Sequence, residues 1–158
     1  MTASHQKNSS SIYITTREIE LTTKGHTHII DITQQIRKII KEEGFTEGNV
    51  LLFATGSTCS LTTIEYEEGL VQTDFPQLME EIAPYEYPYA HHKRWGDDNG
   101  AAHIRASLMG PSIIIPFFNG ELLCGTWQQI VFIDFDTRPR KRKIICQITG
   151  KKQHLKPD

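Results

Sequence analysis

The sequence lacks a charge excess, a long apolar run and a cysteine framework, and each absence removes a class of function. Seventeen Lys and Arg stand against nineteen Asp and Glu, a net charge of −2. No global field therefore draws the chain to nucleic acid or to an anionic membrane, and either would need a local patch. No stretch approaches the roughly 18 apolar residues that span a bilayer, and the opening MTASHQKNSSS has no hydrophobic signal core, so a cytoplasmic protein without membrane contact is expected. Only three cysteines occur. Cys59, Cys124 and Cys146 are far apart, form no CxxC pair and lie in or beside apolar runs, which reads as buried thiols in a reducing compartment rather than disulfides or a thiolate metal site.

What remains is an ordinary soluble composition, 38% hydrophobic and 23% charged over 158 residues, enough for one domain with a real core. Residues 1–10 are polar and Ser-rich and read as a flexible tail, residues 11–150 as the domain, and residues 151–158 as a frayed C-terminus. SIYITTREIEL and HTHIIDIT read as strands that pair in an opening hairpin around Lys24-Gly25. QQIRKIIKEEG is a helix with Ile36, Ile39 and Ile40 on one face, closed by Gly44. NVLLFAT and LTTIEYEE read as strands flanking a turn at Gly56–Ser60. A helix from about Asp74 should turn Leu78 and Ile82 inward and end at Pro84. The tyrosines of YEYPYAHH are expected to pin that loop to the body. GPSIIIPFF, the turn Asn119-Gly120, ELLCGTWQQIVFIDFD and KRKIICQITG complete a strand-rich second half. In VFIDFD, Val131, Ile133 and Phe135 alternate with Phe132, Asp134 and Asp136, so one buried and one mixed face are expected.

The stretch most suggestive of chemistry is HHKRWGDDNGAAH, which places three histidines, two aspartates, an Arg, a Lys and a Trp between His91 and His103. Imidazole and carboxylate together are the ligand set of a first-row divalent ion and equally the parts for acid–base catalysis. With Asn99 capping a helix from Gly100, His103 falls in its first turn, and His91 and Asp97 or Asp98 reach it from the preceding loop. Two His and a carboxylate converging in this way match a metal site with an open position. His91 and His92 point apart if extended, so only one of them can contribute. Of the adjacent aspartates Asp98 is favoured, being nearer the helix start.

Two further features invite a functional reading. The Gly56–Ser60 turn could hold a phosphate on successive backbone N–H groups and the hydroxyls of Ser57 and Thr58, although no Gly-Lys follows to strengthen that motif. Arg138, Arg140, Lys141, Arg142 and Lys143 crowd one hairpin; charge at a sheet edge that discourages misassembly is favoured over a nucleic-acid grip.

Together, HHxxWxDDNGxxHxRASLxGPS, IPF, Asn119-Gly120, GTWQQ and DFDTRPRxRK resemble the YjbQ-like family, described as secondary thiamine phosphate synthases, over nearly all of residues 11–150. The resemblance implies a single α+β domain, β-sandwich-like with mixed or antiparallel sheets and flanking helices, assembled as a homotrimer with sites near subunit boundaries. It selects His91 over His92 and adds Glu65, Trp127 and Gln128 to the site. It implies a transferase that joins a pyrimidine methyl diphosphate to a thiazole phosphate with release of pyrophosphate, assisted by zinc or magnesium. On that reading His91, Asp98 and His103 hold the ion, His103, Asp98, Arg105 and Glu65 carry the chemistry, and Ser57, Thr58, Arg94, Trp127 and Gln128 bind the phosphorylated substrate. Leaving diphosphate needs such cationic support because charge builds on its oxygens. One departure stands out: many members have a histidine where this chain has Gly56, which puts the activity in question and leaves a non-catalytic, ligand-binding trimer as the alternative.

Overall fold

The computed structural model describes residues 11–153. Eight strands, β1 (Tyr13–Thr23), β2 (His28–Asp31), β3 (Phe45–Ala54), β4 (Cys59–Ile64), β5 (Ser112–Phe118), β6 (Glu121–Leu122), β7 (Gln129–Asp134) and β8 (Arg140–Lys152), form two antiparallel sheets. The larger has the order β1-β8-β3-β5-β6 and the smaller β2-β7-β4. Helix α1 (Thr33–Glu42) follows β2; a π-helical turn, Leu70–Asp74, runs into α2 (Phe75–Ile82); α3 (Ala90–Trp95) and α4 (Gly100–Met109) precede β5. The α+β, sandwich-like architecture is as expected.

Period two along β7 organises the layers. Ile130 and Phe132 face the larger sheet and α1, joining Val50, Leu52, Ile144, Cys146, Ile148, Ile36 and Ile40 in the main core. Val131, Ile133 and Phe135 face the helices, packing with Val71, Met79, Ala102 and Ala106. β7 is the middle strand of a sheet covered on both sides, so residues 130–136 are all buried, where one mixed face was expected. Burying these apolar side chains at about 25 cal/mol per Å² is the main stabilising term.

Several sequence expectations are corrected. β1 and β2 do not form a hairpin: β1 pairs with β8 and β2 with β7, in different sheets. The Gly56–Thr58 turn likewise carries the chain from one sheet to the other rather than closing a hairpin. In α2 it is Met79 that is buried, while Leu78 and Ile82 are about half exposed. β8 lies between β1 and β3, though its basic start, residues 140–142, runs past the end of β3 and pairs with β1 alone; Arg140 and Arg142 turn inward from it onto Asp136 and Asp134 rather than serving as edge charge. It also runs to Lys152, two residues past the expected end of the domain. The proposed tail, residues 1–10, and residues 154–158 lie outside the described residues. Asn119-Gly120 makes the expected turn between β5 and β6, with φ of 52° and 75°. Cys59 and Cys146 are buried and free, and burial pushes both thiols up to about 11, which makes them inert. Among the described residues no helix is long and apolar enough to cross a membrane.

Candidate functional site

The inner faces of β1, β7 and β8 turn from apolar to polar at the same end of the sandwich. Along β8 the series is Ile148, Cys146, Ile144, Arg142, Arg140; along β1 it is Ile19, Leu21, Thr23; along β7 it is Ile130, Phe132, Asp134 and, just beyond, Asp136. Arg142 Nε and Nη2 donate to the two oxygens of Asp134 at 2.8 Å each, and Nη2 also reaches Thr58 Oγ1 at 2.7 Å. Arg140 Nε donates to Asp136 Oδ2 at 3.1 Å. Asp134 is fully buried and Asp136 nearly so. Burial alone pushes the Asp136 carboxyl up, but the Arg140 hydrogen bond and charge, the Thr58 hydroxyl and the Arg142 charge outweigh it and hold the group below its ordinary 3.8.

On this polar end sits the histidine cluster. Helix α3 carries His91 and His92 about 100° apart, and the structure gives them different roles. His92 Nε2 accepts the Gly100 backbone N–H at 3.0 Å, so it caps the start of α4, a role expected of Asn99, which makes no side-chain cap. His91 is left to face His103 in the first turn of α4, with ring centroids 4.6 Å apart. His91 Nε2 lies 3.3 Å from Asp97 Oδ2, while Asp97 Oδ1 is buried without a partner. Burial first, and then the neighbouring His91, lower the His103 pKa below 6.5 despite Asp97, Asp136 and the Ser57 carbonyl acting the other way. The cluster thus pairs a carboxylate-oriented imidazole with one that is neutral near pH 7.

Four candidate residues are placed elsewhere. Asp98 points away from His91, its neighbour Asp97 taking the inward position; Asp98 Oδ1 accepts from Thr137 Oγ1 at 2.7 Å and faces Arg138 at 3.5 Å. The Thr137 hydrogen bond and, after it, the Arg138 charge hold Asp98 below its ordinary value. Arg105, two residues past His103, lies about 200° around α4 and is buried: it donates to the Ala83 carbonyl at 2.9 Å and to Thr27 Oγ1 at 3.1 Å, pairs with Glu80 and covers the Tyr85 ring. Its donors are turned to these internal partners and away from the His91–His103 pair. The Thr58 hydroxyl is engaged by Asp136 and Arg142, leaving Ser57 as the exposed hydroxyl of that turn. Arg94 is exposed on α3.

Glu65, Trp127 and Gln128 form a second group at the opposite end of the smaller sheet. Gln128 Nε2 donates to Thr63 Oγ1 and its Oε1 accepts from Gly125 N, which folds the loop and leaves Trp127 70% exposed. The β4–β7 register runs from Cys59 opposite Asp134 to Ile64 opposite Gln129, five steps of about 3.3 Å each, so roughly 17 Å separates the groups within one chain.

The basic hairpin was the signal misjudged from sequence. Period two from Ile144 back to Arg142 and Arg140, set against Phe132-Ile133-Asp134, would have paired these charges. Gly56 also acquires a structural reason: a Cβ there would lie 2.8 Å from Cys59 Sγ and 3.1 Å from Arg142 Nη1, so Arg142 closes the space from the other side. Among the described residues no three His, Cys, Asp or Glu side chains gather closely enough to hold an ion as they stand.

In metal-free protein the His103 ring is expected to titrate below 6.5 by NMR, and His91→Ala to move the midpoint upward by removing the second cause of the shift. The unfolded chain takes up this proton first, so the stability involved is full above about pH 6.5 and falls as pH drops through the lower folded value. A wild-type midpoint above 6.5 would contradict the packing described.

A family profile, UPF0047 protein YjbQ-like, matches residues 17–151. A UPF0047 protein of Archaeoglobus fulgidus is 38% identical over 130 residues, 82% of this chain and 98% of that protein. A structure of a YbjQ-like protein of unknown function from Sulfolobus solfataricus P2 superposes with a TM-score of 0.83 at 28% identity, covering 89% of this chain and 100% of that one. A YjbQ/UPF0047 family protein from Clostridium acetobutylicum gives a TM-score of 0.75 at 36% identity, covering 84% and 98% respectively.

Proposed function

Since this chain belongs to the YjbQ-like UPF0047 family, we propose that it is an enzyme acting on a phosphorylated small molecule at the His91–Asp97–His103 centre. The observation that carries this reading is the facing pair of imidazoles, one oriented by a carboxylate and the other held neutral, beside the exposed Ser57 turn. A neutral imidazole accepts a proton at working pH, and the carboxylate fixes which nitrogen of its partner carries one. The finer form of the proposal, suggested by the sequence resemblance, is transfer of a pyrimidine methyl group from diphosphate to a thiazole phosphate.

The donor chemistry suits a divalent ion, with His91, His103 and the unpartnered Asp97 Oδ1 as its holders once the His91–Asp97 contact opens. Bound there, such an ion would supply positive charge for a leaving diphosphate. Turnover of the two precursors to thiamine phosphate, across zinc and magnesium, is the direct test. His103→Ala is expected to lower it by at least about a hundredfold. Metal content by mass spectrometry, in wild type and in His91→Ala and His103→Ala, separates a metal centre from acid–base chemistry alone. No turnover with any ion would overturn the transferase reading and favour the ligand-binding scaffold, which the filled space at Gly56 supports.

We also infer a homotrimer. The outer face of the larger sheet carries Phe53, Ile114 and Phe118 on the neighbouring strands β3 and β5, and Ile14 on β1, at 43–68% exposure, exposed apolar surface of the kind that marks association. Light scattering is expected to give three copies for wild type and one for Ile114→Asp/Phe118→Asp. A monomeric wild type would rule the assembly out.

A further inference from the structure

A cavity of about 850 Å³ lies beside β2, an edge strand of the smaller sheet, and Lys24, His28, Ile29, Tyr66, Val71 and Pro76 are among the residues that line it. None of these belongs to the His91–His103 centre. We propose that the cavity binds a small organic monocarboxylate, with the carboxylate held by Lys24 and His28 and the apolar body of the ligand against Ile29, Val71 and Pro76.

Two donors are brought together here by the backbone. Lys24 N donates to His28 Nδ1 at 3.2 Å, so the donor the ring has left is Nε2–H. Burial first, and then the Lys24 charge, lower the His28 pKa below 6.5 against the pull of Asp134, so the Lys24 ammonium stands close to a ring that is neutral near pH 7. Among the described residues no acceptor engages either Lys24 Nζ or His28 Nε2. An ammonium and a neighbouring ring N–H match the two oxygens of a carboxylate, and the bond from the ammonium is charge-assisted. Glu68 also lines the cavity, with no cation paired to it among the described residues, and its negative charge disfavours a dianion such as phosphate. The apolar side is equally well placed, since Ile29 and Val71 pack together in one cluster and both reach the cavity.

The meeting of Lys24 with His28 depends on the three residues between them. Gly25, His26 and Thr27 have successive φ values of 75°, 50° and 62°, left-handed backbone that His and Thr rarely adopt. This turn folds residue 24 back toward residue 28. Gly25 is obligatory, since a Cβ there would run into the Asp136 carbonyl oxygen. The turn is held from beneath: His26 N donates to that same carbonyl at 2.7 Å, and Arg105 donates to Thr27 Oγ1 at 3.1 Å. Strain of this kind persists only where the surroundings impose it, and it concentrates at ligand sites. A second uncommon element supplies apolar lining, for Val71 belongs to the π-helical turn Leu70–Asp74. The Tyr66 hydroxyl donates to the Ile29 carbonyl at 3.2 Å, so a ligand there meets side chains rather than an unpaired strand edge.

Calorimetric titration with hydrocinnamate, against hydrocinnamide as its uncharged counterpart and inorganic phosphate as a competing anion, tests the assignment. Saturable binding of hydrocinnamate alone is expected, with amide NMR shifts at Ile29 and Val71. Lys24→Gln should weaken it by about tenfold or more, the worth of one charge-assisted hydrogen bond. His28→Asn, whose amide oxygen stands in for Nδ1 but which has no counterpart of Nε2–H, should weaken it several-fold, with folding of both variants checked by melting. Equal binding of hydrocinnamide, tighter binding of phosphate, undiminished binding in folded Lys24→Gln, or no binding to folded wild type would overturn the proposal. His103→Ala is expected to leave hydrocinnamate binding unchanged; a loss there would place the ligand in the histidine centre and overturn the cavity assignment. The turnover assay reads that centre separately, so either reading can fail while the other stands.

Discussion

Arg142→Ala is expected to destabilise the fold by about 3–5 kcal/mol, the usual result of leaving one partner of a buried ion pair uncompensated. Asp134 is fully buried, and after the substitution its carboxylate would keep only the Thr23 hydroxyl at 2.5 Å and the Asp136 N–H at 2.9 Å. The bidentate fork would be gone, and with it the bond to Thr58 that ties the Gly56–Ser60 turn to β8. For a domain of this size the melting temperature should fall by roughly 10 °C. Arg142→Lys should recover part of the loss, since an ammonium keeps the charge but not the planar fork. Arg142→Met with Asp134→Leu should recover more, because removing both charges leaves no unpaired ion. The acid limb is expected to move as well. Asp136 is held below 3.8 with Arg142 among the causes, so its contribution is full above about pH 4 and lost as pH falls through the lower folded value. Without Arg142 the folded value rises toward the ordinary one, so the contribution is smaller and its loss is complete at a higher pH. Urea melts at pH 7 and at about pH 3, below the ordinary carboxyl value, check both statements. A melting temperature within a degree or two of wild type would mean that these charges serve only to guard the surface, which was the reading favoured from sequence.

That reading failed for an instructive reason. A basic cluster in a strand is ambiguous until what it faces is known, and Arg140 and Arg142 turn inward onto Asp136 and Asp134 at the end of β7, a long-range pairing that local pattern does not encode. Long-range pairing also explains the lost opening hairpin: β1 and β2 are adjacent in sequence and punctuated by Lys24-Gly25, yet each finds its partner a hundred or more residues away. Where the signal was local it carried through. The Ile36 and Ile40 face of α1, the Asn119-Gly120 turn and the alternation in β7 are all present. The candidate site divides along the same line. The convergence of His91 and His103 was legible, since helix spacing and one short loop bring them together. The choice between Asp97 and Asp98 was not, because it depends on Thr137 and Arg138, which draw Asp98 outward from a distant loop. Nor could the roles of His91 and His92 be separated by residue type; the difference lies in the Gly100 N–H that His92 accepts.

Arg105→Ala should destabilise the fold by about 3 kcal/mol, from lost hydrogen bonds and the cavity left behind, and should do so without any substrate present. Its side chain is 1% exposed, whereas its ion partner Glu80 is about half exposed, so the carboxylate returns to water at little cost and the penalty falls on the groups left inside. These are the Ala83 carbonyl, the Thr27 hydroxyl and the face of Tyr85, over which the guanidinium sits at 3.9 Å from the ring centre. Arg105→Met, which refills the volume, should restore the packing part alone. The consequence for function is indirect. Thr27 adopts left-handed backbone only because its surroundings require it, and Arg105 is one of those requirements. Hydrogen exchange at the His26 N–H, bonded to Asp136 O in the intact fold, should therefore quicken in Arg105→Ala while the amides of β3 and β8 slow or quicken only with global stability. An Arg105 that served instead as a substrate-facing cation would show the opposite pattern: unchanged melting, unchanged exchange at His26 and a loss confined to phosphate binding.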